Sequence, residues 1–125
     1  MGHNISLSDS EWLIMQEIWK RGTATFREIC DGVAAQNWSK PAVAAFLKRM
    51  EGKGAIICQE HKPVKRYRPL IQKEEAVQEE TRQMMERVYG GDVVLLAQSL
   101  VRPQTLNDTE MKELIALLQK GREPS

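Results

Sequence analysis

The 125 residues fit one domain, or one small domain of about 70 residues with an appended segment. A composition 42% hydrophobic and 28% charged excludes wholesale disorder, and no run of 18 apolar residues exists that could span a bilayer. A net charge of +1 conceals an asymmetry: residues 1–70 carry eleven Lys/Arg against seven Asp/Glu, and residues 71–125 carry seven against ten.

The first predicted helix opens at Ser8-Asp9-Ser10-Glu11, a capping box in which Ser8 caps and Glu11 reaches back. Trp12, Met15 and Trp19 recur on one face, widened by Ile14 and Ile18, and Gly22 ends the element. Thr23-Ala24-Thr25 reads as a short extended link. Thr25 and Glu28 form a second capping box, ahead of a helix with Phe26, Ile29, Cys30 and Val33 on its apolar stripe. A third helix starts at Ser39 with Pro41 in its first turn, where the missing N–H costs nothing. Val43, Phe46, Leu47 and Met50 form its apolar face, and Gly52 and Gly54 are expected to close it. That pattern leaves Lys40, Ala44, Ala45, Lys48 and Arg49 off the stripe.

Ala55–Gln59 carries a strand signal, His61–Val64 reads as a turn, and Lys65–Leu70 as the returning strand, with Pro69 at its exit. Three helices followed by a basic hairpin is the layout of a winged helix-turn-helix. Beyond Leu70 the composition shifts. Gln72–Tyr89 predicts a long charged helix whose apolar Val77, Met84 and Val88 suit a narrow seam between helices. Gly90-Gly91 breaks it. Asp92 caps a short helix, apolar nearly all round, which Pro103 stops. Asn107 and Glu110 cap a last helix bearing Met111, Leu114, Ile115 and Leu118 on one face.

The expected organisation is therefore a mainly α chain with a small β-hairpin. Residues 5–70 form a winged-helix DNA-binding domain, residues 71–121 a helical dimerisation region, and residues 122–125 a frayed tail. In a helix-turn-helix the second helix of the motif enters the major groove. The groove-facing candidates are Ser39, Lys40, Ala42, Ala44, Ala45, Lys48 and Arg49, and Lys62, Lys65, Arg66 and Arg68 supply a wing along the backbone. Within Trp38–Leu70 eight basic residues face two acidic ones, the local field a polyanion would meet. Ala42, Ala44 and Ala45 make no two-pronged base contact, so readout would fall to Lys40, Lys48, Arg49 and DNA shape. Tyr67, between two arginines, reads as a core-facing ring, with donation to a phosphate as the alternative.

A helix apolar nearly all round needs covering on more than one face, and the simplest cover is a second copy of the chain; the alternative is that the tail folds back on the first seventy residues as one monomeric domain. The dimer residues so expected are Val77, Met84, Val88, Val93, Val94, Leu95, Leu96, Leu100, Met111, Leu114, Ile115 and Leu118. No catalytic constellation and no Gly-rich phosphate loop is recognisable, so no enzyme and no cofactor are expected. Cys30 and Cys58, with only His3 and His61 beside them, lack metal-ligand spacing and read as reduced, mostly buried thiols. No secretory signal pattern is recognisable either, so a cytoplasmic protein without membrane insertion is expected. The alternative reading is a winged-helix module that docks on another protein, with the alanine-rich helix as a smooth contact surface.

Several segments together resemble the penicillinase repressor family of BlaI/MecI/CopY-type regulators. They are Leu7–Trp12 with Met15 and Trp19, Trp38-Ser39, Leu47-Lys48-Arg49-Met50 running into Lys53-Gly54, Tyr67, and Val88-Tyr89-Gly90-Gly91. The similarity runs from Ile5 to Gln119. It implies a homodimeric repressor on a palindromic double-stranded operator. It also implies relief by a sensor-linked protease of β-lactam-resistance type, at a bond equivalent to Ser99–Leu100. The family's Asn-Phe cleavage pair is absent there. No cysteine follows Cys58, which sets the chain apart from the copper-responsive branch. Ala42, Ala44 and Ala45 stand where the family commonly has polar groove-facing residues, which implies a different operator.

Overall fold

The computed structural model describes residues 5–61 and 64–121. Helix α1 (Asp9–Arg21) begins where the Ser8 hydroxyl accepts the Glu11 N–H at 3.3 Å and the Ser8 N–H donates to Glu11 Oε1 at 2.9 Å. Two of the four N–H groups orphaned at a helix start are satisfied reciprocally. Gly22 ends the helix at φ 82°, a left-handed conformation open to a residue without a Cβ. Helix α2 (Phe26–Gly32) repeats the device with Thr25 and Glu28, at 3.1 and 2.8 Å. A single 3₁₀ turn, Ala34–Gln36, leads to α3 (Lys40–Lys53), capped by the Ser39 hydroxyl accepting from the Ala42 N–H at 3.2 Å. Gly54, at φ 83°, ends α3 alone; Gly52 lies within the last turn rather than closing the helix.

Thr23–Thr25 is more than a link. Ala24–Thr25 forms strand β1, which pairs antiparallel with β3 (Val64–Pro69), as does β2 (Ile56–His61). The order β1-β3-β2 makes the returning strand the middle of a three-stranded sheet. The strands run longer than their β-branched signal: His61 and Val64, expected in the turn, form the last pair of the hairpin. Cross-strand hydrogen bonding carries both strands outward past the apolar residues that announce them.

The core gathers Ile14, Met15 and Ile18 of α1, Ile29 of α2, Val43, Leu47 and Met50 of α3, and Ala24 and Ile56 of the sheet, each at most 1% exposed. Burying a side chain of this size contributes about 1.5–3 kcal/mol. Trp12 and Trp19 pack edge to face at 5.8 Å on its rim, and the Trp19 indole N–H donates to the Ile71 carbonyl at 2.9 Å, tying α1 to the segment after the sheet. Tyr67 packs on the core as expected.

The chain forms two compact units, one ending at Thr81 and the other beginning at Arg82. Helix α4 (Lys73–Arg87) crosses that boundary. In the second unit Gly90 and Gly91 take positive φ values of 57° and 84°, as a sharp break requires. Helix α5 (Val93–Val101) is capped by Asp92 Oδ1 accepting from the Leu95 N–H at 3.0 Å. Asn107 and Glu110 close a third capping box at the head of α6 (Asp108–Gly121), at 2.8 and 3.0 Å. No residue of α5 or α6 is buried.

Candidate nucleic-acid interface

One face of α3 closes the core with Val43, Leu47 and Met50; the other presents Lys40, Ala44, Ala45, Lys48 and Arg49, all exposed, with Ala42 half-buried at the margin. The helical period of 3.6 forces this division once the apolar residues face inward. Ser39 is exposed and spends its hydroxyl on the cap. Between the faces sits Phe46. Its ring meets Trp38 edge to face at 5.0 Å and 63°, and the Arg49 guanidinium lies over it, 5.6 Å from its centroid. Periodicity assigns Phe46 to the core; what it misses is that the residue is only half-buried and that a cation lies over its ring.

The hairpin divides its cations by strand alternation. Tyr67 and Pro69 are the half-buried residues of β3, so Lys65 shares their side of the sheet, while Val64, Arg66 and Arg68 lie on the opposite, exposed side. The exposed Ile57 stands across from Arg68, and Arg66 lies across from Gln59 and Thr25. Lys62 lies outside the described residues.

The pairing of charges separates structural cations from available ones. Glu17 takes Arg21 at 3.0 Å and Lys20 at 3.6 Å. Lys53 bonds Glu11 Oε1 at 2.5 Å and donates to the Ser6 carbonyl at 2.8 Å, so one cation of the basic Trp38–Leu70 stretch serves the fold. Lys40, Lys48, Arg49 and Arg68 have no carboxylate within ion-pair distance among the described residues. Within the basic Trp38–Leu70 stretch, the cations left without a carboxylate among the described residues thus lie on the outer side of α3 and on the wing.

Glu11 is fully buried. Burial pushes its carboxyl up, but the Lys53 hydrogen bond, the Ser8 N–H and the Lys53 charge outweigh this and hold it below the ordinary glutamate value. The Thr25 N–H, followed by the Thr25 hydroxyl and the charges of Arg21 and Arg66, lowers Glu28 in the same direction against a smaller desolvation effect. Both cysteines are free and half-buried. Desolvation pushes the Cys30 thiol up despite the Lys40 charge nearby, away from the reactive thiolate. Among the described residues no cluster of three or more His, Cys, Asp or Glu comes together, and no helix is long and apolar enough to cross a membrane.

The second unit leaves its apolar residues uncovered. Val88, Val93, Val94, Leu95, Ile115 and Leu118 are 42–66% exposed, as is Val77 of α4 at 44%. Met84, Leu96, Leu100, Met111 and Leu114 are half-buried. Ser99 is exposed, and its hydroxyl donates to the Leu95 carbonyl at 3.0 Å within α5.

Residues 7–120 match the family described as penicillinase repressor. The methicillin resistance regulatory protein MecI of Staphylococcus aureus (strain N315) is 24% identical over 115 residues, spanning 91% of this chain and 94% of that one. MecI of Mammaliicoccus sciuri matches equally. Two solution structures of BlaI superpose with a TM-score of 0.53 at 26% identity, covering 60% of this chain and 93% of the other. One is the DNA-binding domain of the repressor; the other is the monomeric form from Bacillus licheniformis in complex with the blaP half-operator. The chain belongs to the penicillinase repressor family, whose members are transcriptional repressors of winged-helix fold and not enzymes.

Proposed function

We propose that this chain represses transcription by binding a palindromic double-stranded operator as a homodimer. Residues 5–70 of each copy read one half-site, and residues 71–121 join the two copies. The observation that carries the reading is the unneutralised set Lys40, Lys48, Arg49 and Arg68 on the outer side of α3 and the wing, while the cations of α1 and the end of α3 are paired. Ser39, Lys40, Ala42, Ala44, Ala45, Lys48 and Arg49 then line the major groove, and Lys65, Arg66 and Arg68 follow the phosphate backbone. BlaI solved with a half-operator supports the assignment. Relief by proteolysis belongs to the same reading, with the bond near Ser99–Leu100 lying in a helix without a buried residue.

The test is selection of bound duplexes from random DNA, followed by anisotropy titration of the winner. Half-sites about one helical turn apart are expected. If the dimer neutralises roughly 6–10 phosphates, affinity falls about 10³–10⁵-fold between 50 and 200 mM salt. Arg49→Ala and Lys48→Ala each weaken binding. Absence of any selected duplex at low salt, with a protein co-purifying in place of nucleic acid, would favour a protein-docking module instead.

A further inference from the structure

The exposed side of α3 offers few groups that can read a base. Three alanines occupy its N-terminal half, and the side chain best suited to a two-pronged contact, Arg49, stands more than two turns into the helix. Helical side chains lean toward the N-terminus of their own helix. Arg49 therefore reaches back across one turn, and its guanidinium lies over the ring of Phe46. Phe46 is itself fixed. It is half-buried against the core, and Trp38, just before the helix, meets it edge to face at 5.0 Å. Among the described residues no carboxylate lies within ion-pair distance of Arg49, so its guanidinium rests on the ring with its hydrogen-bond donors open.

Resting on the DNA-binding reading above, we propose that Phe46, braced by Trp38, is a positioning residue: an aromatic pedestal that holds the Arg49 guanidinium beside the alanine strip for two-pronged contact with a guanine. A free arginine surrenders much rotamer freedom when it docks, and a guanidinium already resting on a ring surrenders less. The ring attracts the cation by its quadrupole without occupying the N–H groups that a base edge would accept. The small alanine side chains let the helix approach closely enough for an arginine leaning along its surface to reach the groove floor.

The experiment is a double-mutant cycle on the full-length protein with its selected operator. Phe46→Leu, which keeps an apolar side chain but removes the ring, is combined with Arg49→Ala, and Phe46→Tyr serves as the variant that restores the ring. Thermal unfolding checks the fold of each. Phe46→Leu is expected to weaken operator binding by about fivefold, the size of a moderate cation–π contact. It should also shrink the preference for the native guanine over a substituted base, and change nothing when Arg49 is already alanine. Phe46→Tyr should restore both affinity and preference. Equal loss from Phe46→Leu in the two backgrounds, or full discrimination retained without the ring, overturns the pedestal. Failure of the underlying reading looks different: the unsubstituted protein would then select no duplex, or Arg49→Ala would bind as well as the parent.

Discussion

Glu11 joins the head of α1 to the tail of α3. Its Oε1 takes both the Ser8 N–H and the Lys53 ammonium, while Oε2 has no hydrogen-bond partner among the described residues. Glu11→Gln removes the charge that Lys53 neutralises, and Lys53 can turn toward water, so the loss is expected at about 1–3 kcal/mol in urea unfolding. The carboxyl titrates lower in the folded protein than in the unfolded chain, so across the acid range the unfolded chain binds more protons. Stability from this site is present above the ordinary glutamate value and drains away as pH falls through the lowered one. Unfolding curves from neutral to acid should therefore fall less steeply for Glu11→Gln than for the parent; matching slopes would remove Glu11 from the acid response and turn attention to Glu28, also lowered. The Ser8–Glu11 spacing makes the cap legible in the chain of letters. The bond to Lys53 is not, because its partner lies 42 residues away and depends on how α1 and α3 pack.

Elements whose cause is local were legible throughout. Capping at Ser8, Thr25, Ser39, Asp92 and Asn107 uses residues three apart, and each occurs where the spacing puts it. Strand β1 was not legible, since two residues carry no periodicity and Ala24 becomes a strand only by pairing with Tyr67. The exposed side of α3 could be deduced by subtracting the apolar stripe; the contact of Arg49 with Phe46 could not, because periodicity treats Phe46 only as core. Two predictions belong to these elements. If Ala44 and Ala45 meet thymine methyls in the proposed complex, replacing the operator thymines opposite them by uracils should lower affinity at those positions and nowhere else in the half-site. Unchanged affinity at every uracil would place the alanines out of contact. Arg68→Ala on the wing should weaken all duplexes alike and reduce the salt slope by about one; a sequence-selective loss would make Arg68 a base reader.

At the scale of the whole molecule, the second unit exposes apolar residues on α5 and α6 that a folded protein in water tends to cover. Val94→Glu and Leu118→Glu each place a charge in the proposed seam. Sedimentation equilibrium at micromolar concentration should show the parent as a dimer and both variants shifted toward single chains, with operator binding weakened in parallel. Parent protein sedimenting as one chain, with and without operator, would refute the two-copy assembly. The apolar character of this unit was plain in the sequence, whereas nothing in one chain's periodicity states which surface covers it.

Among the described residues, every member of the buried core lies at or before Ala76, within the unit that ends at Thr81. A cut in α5 would accordingly leave each reading head folded and chemically unaltered. In the proposed two-copy assembly, what would disappear is the tether: the second head would no longer arrive at a local concentration near millimolar once the first has landed, and the advantage of bivalency, about 10²–10⁴-fold, would go with it. Derepression by such a cut would be a loss of avidity rather than of fold, and the severed heads would persist as weak, competent binders of single half-sites.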